Sequence, residues 1–334
     1  MVTVGQQLDL ADRAVIAVPI GDESEFQVVA VIKGNDAVGA VIADAVTGLD
    51  AGPPGVRDSL LLLHDSVARQ WTSVGPMRAE HADWLRQLAA TSLVKGERPR
   101  ATWPRNMASS VLSYAGWRER IALVLSHLES PDPLVAQIAW GELARAPYAV
   151  MDVARSRIDA TTVEGWLNDP KLTPRHAAYT LLLGFVGGPA EAARLEQRME
   201  MAWNGHDPTN LAAMIGADLE LRGPSRVAWV EAMYFVDRAR TMPEIDAALL
   251  ALNVHGDADR AVPRARVIEA YRGFIKQRPP MAGFVAQQLA DWGCWDAAAE
   301  YATLLQSQVI KDQGSELAVQ NYLLRAAAAG APLQ

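Results

Sequence analysis

Leu128–Tyr148, LESPDPLVAQIAWGELARAPY, reads as the end of one helix, a proline-punctuated turn and a second amphipathic helix. Close variants recur downstream. Asp-Pro pairs stand at Asp132-Pro133, Asp169-Pro170 and Asp207-Pro208, 37 and 38 residues apart, and Pro243 and Pro280 continue the series after 35 and 37. Proline suits the first turn of a helix, where the hydrogen-bond ladder needs no N–H. Five prolines on one beat predict a helical repeat.

The helices on either side of these turns carry one apolar stripe each, for example Leu134, Ile138 and Leu143, or Val267, Tyr271, Phe274 and Ile275. Burying about four large side chains gains roughly 6 to 12 kcal/mol, while ordering a dozen residues costs about 1 to 2 kcal/mol each. A lone unit is therefore unstable, and stacked neighbours must supply the difference. The spacing predicts helix pairs at 117–128 with 134–145, 161–168 with 174–186, 189–203 with 209–222, 225–239 with 243–253, 263–277 with 281–291, and 296–307 with 315–328. Their irregular lengths describe a HEAT-like α-solenoid over residues 111–330.

Upstream the period changes to that of strands. Ala14–Pro19, Glu25–Lys33, Ala37–Ala45, Ser59–Asp65 and Gln70–Val74 are short β-branched or Leu-rich runs between Gly, Asp and Pro clusters, which predicts a small β-barrel over residues 1–78. The spacing suits an OB-like barrel, and an SH3-like barrel reads almost the same. A helix follows at 79–92, then a basic, Pro-containing linker or solenoid cap, Lys95–Arg105 (KGERPRATWPR), within residues 79–110. The fold class is thus α+β and mostly α.

The stretches ADRAVIAVPIG (11–21), FQVVAVIKGN (26–35), SLLLLHD (59–65) and QWTSVG (70–75) resemble the N-terminal strand domain of uncharacterised bacterial proteins. That domain is related to netrin-like OB barrels and often precedes HEAT-like helices. The resemblance implies a barrel-plus-repeat architecture across most of the chain. Netrin-like protease inhibitors depend on an N-terminal cysteine and disulfides, and this region has no cysteine, so inhibition does not carry over.

Half of the 334 residues are apolar, yet no apolar run approaches 18 residues, which predicts a soluble chain with no membrane span. The formal charge is -8, and residues 1–90 hold 12 acids against 6 bases, which disfavours bulk binding to nucleic acid or anionic membrane. Cys294 is the single cysteine, so no intrachain disulfide or cysteine-based metal site is possible; beside Trp292 and Trp295 it reads as a small core residue. As it stands the chain reads as cytoplasmic; a leader removed ahead of residue 1 would make it exported or periplasmic.

No catalytic motif, cofactor signature or metal-ligand spacing stands out, which argues against an enzyme. His255, Asp257 and Asp259 lack the remaining ligands of a calcium loop and read as an inter-helix turn. Gly187-Gly188-Pro189 has neither a preceding strand nor a following Lys-Ser/Thr, so it reads as a helix end joined to a proline helix start. Trp103 and Trp140, and Trp166 and Trp203, are each 37 apart, and tryptophans at a repeated position line a groove or fill the gap between repeats. Arg260–Arg278 holds six cations against Glu269 alone; on a helical wheel Arg266, Arg272 and Lys276 lie together, off the apolar stripe. With Trp166 and Trp203 they form the candidate partner-binding set. The function expected is a non-enzymatic protein-interaction scaffold with a protein partner. The alternatives are a nucleic-acid-binding HEAT-like protein or DNA-glycosylase-like enzyme, and a periplasmic ligand-binding module.

Overall fold

The computed structural model describes residues 2–20, 25–43, 45–47, 58–91 and 112–331, in two compact units of residues 1–157 and 158–334. The chain is mostly α-helical with one small sheet, as the patterning predicts.

The first unit opens with α1 (Val4–Leu10), capped by a reciprocal pair of bonds between Thr3 and Gln6. Strands β1 (Arg13–Ile20), β2 (Glu25–Lys33), β3 (Val41–Ala43), β4 (Val46–Thr47), β5 (Leu60–Asp65) and β6 (Gln70–Pro76) follow. They form one sheet in the order β3-β2-β1-β5-β6-β4, antiparallel throughout except for the parallel pair β4–β6. The strand expected over 37–45 is divided: Ala40 closes a turn onto Ala37, and Gly39 takes a φ of +89°, a conformation that spares glycine the steric cost other residues meet. β3 and β4 occupy opposite ends of the strand order, yet three Cα steps of about 3.8 Å each hold Ala43 and Val46 within about 11 Å. The sheet is therefore curled.

Side-chain parity explains the leucine run of β5. Val15, Ala17, Phe26, Val28, Leu60 and Leu62 point to one face and form a core with Ile42 and Trp71. Ala14, Ile16, Leu61 and Leu63 have the opposite parity and are buried too. Both faces are covered, with α1 packed on β5 and α2 (Ala82–Ala90) on β2. α3 (Tyr114–Val124) and α4 (Pro133–Arg145) complete this unit, with Asp132 accepting from the N–H groups of Leu134 and Val135 and Pro133 opening α4. A nine-residue 3-10 segment, Tyr148–Ser156, then follows and buries Val150, Val153 and Ala154, outside the helix pairs that the spacing predicts.

The second unit is all helical: α5 (Ala160–Asn168), α6 (His176–Val186), α7 (Pro189–Gly205), α8 (Leu211–Arg222), α9 (Val227–Val230), α10 (Met242–Ala258), α11 (Arg264–Gln277), α12 (Ala286–Asp291), α13 (Ala298–Gln306) and α14 (Gln313–Ala328). α9 runs into a π-helical turn, Glu231–Val236. The periodic prolines sit where the helical ladder tolerates them. Pro170 opens a 3-10 turn behind the Asp169 cap, Pro243 is the second residue of α10 behind a Thr241–Glu244 capping box, and Pro280 lies in the first turn of a 3-10 segment, Pro279–Val285. α5 packs on α6, α7 on α8, α10 on α11 and α13 on α14, and several helices pack on the helix after next, as α6 does on α8, α8 on α10 and α12 on α14. Among the described residues no helix is long and apolar enough to cross a membrane.

Candidate interaction surface

A series of ion pairs in the second unit joins side chains at spacings slightly shorter than the proline beat. Glu164 pairs with Arg194, Glu196 with Arg226 at 2.8 Å, Glu231 with Arg266, and Asp291 with Arg325 at 2.7 Å, each arginine 30 to 35 residues beyond its acid. A second series ties side chains to backbone carbonyls about one period earlier. Arg240 Nη1 donates to the carbonyl of Trp203 at 3.1 Å, Arg278 Nε to that of Phe235 at 2.9 Å, and His255 Nε2 to that of Gly216 at 2.9 Å. A carbonyl only accepts, so His255 carries its proton on Nε2. Burial holds this imidazole below its ordinary pKa.

This ladder redistributes the basic cluster. Arg266 is taken up by Glu231. Arg264 donates to the Gly256 carbonyl at 2.8 Å and lies 5.6 Å from the Trp292 ring centroid. Arg278 is buried, and burial first, then the charge of Arg238, lowers its pKa. Arg272 and Lys276 remain exposed, one turn apart on α11, and neither has an ion-pair partner among the described residues. Trp166 packs on Tyr179 with ring centroids 5.0 Å apart, and Trp203 lies half-buried under the Arg240 guanidinium at 4.4 Å. Of the five residues expected to bind a partner, Arg272 and Lys276 thus stand side by side in solvent, while Arg266, Trp166 and Trp203 are engaged in pairing or packing. Trp103 and Lys95–Arg105 lie outside the described residues.

One polar cluster has no counterpart among the sequence motifs. Asp218, buried in the middle of α8, accepts from Arg222 Nε at 2.8 Å and from Arg226 Nε, and both arginines also reach Glu196. Burial pushes the Asp218 carboxyl upward against the pull of Arg226 and Arg222. Arg226 also stacks 3.9 Å over Trp229. On the π-turn beyond it, Tyr234 is wholly buried, and its hydroxyl has no hydrogen-bond partner among the described residues. Burial and then the charge of Glu244 push that phenol up to about 12. The sequence does carry a signal: an acid inside LAAMIGADLELR, flanked by apolar residues, needs cations to accompany it into the core. A cleft of about 480 Å3 opens beside the cluster, lined by Gly188, Pro189, Ala192, Glu196, Leu221 and Arg222.

The remaining motifs have local roles. Asp257 accepts from Trp292 Nε1 at 2.8 Å and from Gln288 at 3.0 Å, Asp259 caps the start of α11 through the Arg264 N–H, and His255 is buried away from both. Gly187 ends α6, and Gly188 with Glu191 caps α7 ahead of Pro189. Cys294 is half-buried, and burial raises its thiol pKa, which disfavours the reactive thiolate. Among the described residues no group of three or more His, Cys, Asp or Glu is placed to hold a metal ion. Comparison with protein-family models, with curated proteins and with solved structures gave no match to this chain.

Proposed function

We propose that the chain is a non-enzymatic interaction scaffold, in which a HEAT-like α-solenoid presents an acidic protein segment with the cations of α11. Supporting the solenoid reading is the ladder of pairs at 30 to 35 residues, the recurrence expected when each helix pair contacts mainly its neighbours. For the first unit an OB-like barrel is the matching proposal. If β3 and β4 act as one broken strand, the order runs β1-β2-β3/β4-β6-β5 and back to β1, which suits a five-stranded Greek-key barrel. The resemblance to bacterial proteins joining a netrin-like strand domain to HEAT-like helices agrees with both.

One observation carries the docking site: Arg272 and Lys276 are exposed, with no ion-pair partner among the described residues, while their basic neighbours Arg264, Arg266 and Arg278 are engaged. On a chain of net charge -8, an unneutralised basic patch favours an acidic partner by local complementarity. The test is affinity capture with the native chain and with an R272E/K276E variant as paired baits. The reading expects a protein retained by the native bait and lost by the variant. Equal retention by both baits removes α11 as the docking site. DNA retained only near 50 mM salt would favour a nucleic-acid-binding function instead.

A further inference from the structure

Among the described residues three arginines are buried, Arg120, Arg240 and Arg278. A buried charge is costly unless an opposite charge accompanies it. Arg120 has Asp9 and Glu142, and Arg240 has Glu244 at 2.7 Å and Asp237 at 3.0 Å. Arg278, 8% exposed, has no carboxylate at ion-pair distance among the described residues. Its guanidinium is held by backbone carbonyls, Nε donating to that of Phe235 at 2.9 Å and Nη2 to that of Asp237. These carbonyls end the π-turn, and their dipoles fix the group in place without bringing the net charge that would neutralise it. The charge that acts on it most strongly is a second cation, Arg238. Arg238 directly follows Asp237, the residue whose carbonyl accepts from Arg278, and it is exposed with no ion-pair partner among the described residues. The Asp237 carboxylate is committed elsewhere, accepting from the Ala239 N–H at 2.9 Å and from Arg240 Nε at 3.0 Å.

We propose that Arg278 and Arg238 form a binding site for a phosphate group. The Nη1 of Arg278 makes no hydrogen bond among the described residues and is not sealed from solvent, so its N–H groups are presented from a fixed frame. Such a donor loses little freedom on binding. The Arg238 guanidinium supplies further donors from the neighbouring turn and can swing to meet the same ion. Donors that arrive from a helix end and from a turn suit a tetrahedral group, whose oxygens point in different directions. A phosphate ester also carries about -1.5 to -2 charge at pH 7, enough to answer both cations. A carboxylate offers its oxygens in one plane and answers one cation only.

The same donors serve a free phosphate ion and a phosphorylated side chain. Without either, Arg238 works against the fold, because it adds a like charge beside a buried cation; with phosphate bound it becomes the second half of the site. This inference rests neither on the scaffold function nor on Arg272 and Lys276.

The test is calorimetric titration of the full chain at about 0.01 M ionic strength, where screening is weak, with inorganic phosphate, O-phosphoserine and acetate as probes. The native protein is compared with R238Q and with K311Q, which removes an exposed cation elsewhere in the same unit. The native chain is expected to bind phosphate saturably, with a dissociation constant on the order of 1 mM. R238Q should bind it about tenfold more weakly, K311Q as the native chain does, and acetate should bind the native chain about tenfold more weakly than phosphate. Tighter binding of O-phosphoserine than of inorganic phosphate assigns the site to a phosphorylated side chain, and equal or weaker binding assigns it to the free ion. Thermal unfolding gives a second reading. Arg238 is exposed, so R238Q should melt at or above the native temperature in phosphate-free buffer, yet gain less than the native chain when phosphate is added. Absence of saturable phosphate binding, acetate bound as tightly as phosphate, or R238Q matching the native chain in affinity or in its gain from phosphate would overturn the proposal. So would K311Q weakened as much as R238Q, which would reduce the effect to overall charge.

Discussion

Arg120 and Asp9, 111 residues apart in the sequence, form a two-pronged ion pair at 2.6 and 2.8 Å with both side chains sealed from solvent. The same guanidinium donates to Glu142 of α4 at 3.0 Å, to the Leu88 carbonyl at 3.1 Å and to the Thr91 hydroxyl at 2.9 Å. One side chain thus pins α1, the end of α2, α3 and α4 together. Such a network has little tolerance for a missing member, because a carboxylate left alone in the interior keeps its desolvation cost without its partner. Arg120→Met should destabilise the protein by about 3 to 5 kcal/mol in urea unfolding. A loss under about 1 kcal/mol would mean that Arg145, 2.6 Å from Glu142 and 3.8 Å from Asp9, holds the two carboxylates by itself.

Close helix packing makes a sharp contrast among the glycines. A Cβ on Gly184 would stand 2.7 Å from Ala217 Cα, and one on Gly283 would stand 2.5 Å from Ser315 Cα, so in both cases backbone must move. Gly165 lies in α5 with nothing within 4 Å. Gly184→Ala and Gly283→Ala should each cost about 1 to 3 kcal/mol through overpacking. Gly165→Ala should instead gain up to about 1 kcal/mol from helix propensity. Thermal melts of the three variants read the difference in sign.

Tyr234 offers a test of an unpaired buried hydroxyl. Leaving it without a protein partner costs about 1 to 3 kcal/mol, so Tyr234→Phe should leave stability at pH 7 unchanged or higher. The folded pKa of about 12 lies above the ordinary value of 10.0, so the neutral phenol favours the folded state below pH 10 and that contribution is lost as pH rises through 12. The variant should unfold less steeply than the native chain between pH 10 and 12. A clearly destabilised variant at pH 7 would show that the hydroxyl is well satisfied.

At the acid side His255 acts in the opposite sense. Its folded pKa lies below the ordinary 6.5, so the stability it contributes is complete above pH 6.5 and falls away as pH drops through the lower, folded value. Replacement by Gln, which keeps an N–H donor for the Gly216 carbonyl, should remove part of the acid lability while costing some packing. Urea midpoints compared at pH 7 and pH 5 give the measurement.

Periodicity and turn chemistry made the element order legible. The helix expected over 189–203 runs from Pro189 to Gly205, and the strand expected at Glu25–Lys33 has those ends. Both signals are local, since a proline or an alternating run acts on its own backbone. What was not legible depends on register between helices. Nothing near Arg266 announces that Glu231, 35 residues earlier, will take its charge. The same holds for Trp203 under Arg240, and for the hydroxyl of Tyr234, stranded by a π-turn that no stripe predicts. Arg272 and Lys276 were visible as exposed cations because helical spacing alone put them off the apolar stripe.

The ends of the sheet in the first unit are only three and two residues long, Val41–Ala43 and Val46–Thr47. A row of free N–H and C=O groups recruits foreign strands in proportion to its length, and natural strands average about five or six residues. The Leu60–Leu63 run lies in β5, which is paired with β1 on one side and with β6 on the other. A foreign strand cannot reach that run while β1 and β6 hold it, so cross-β assembly through those leucines has to begin by unravelling the sheet.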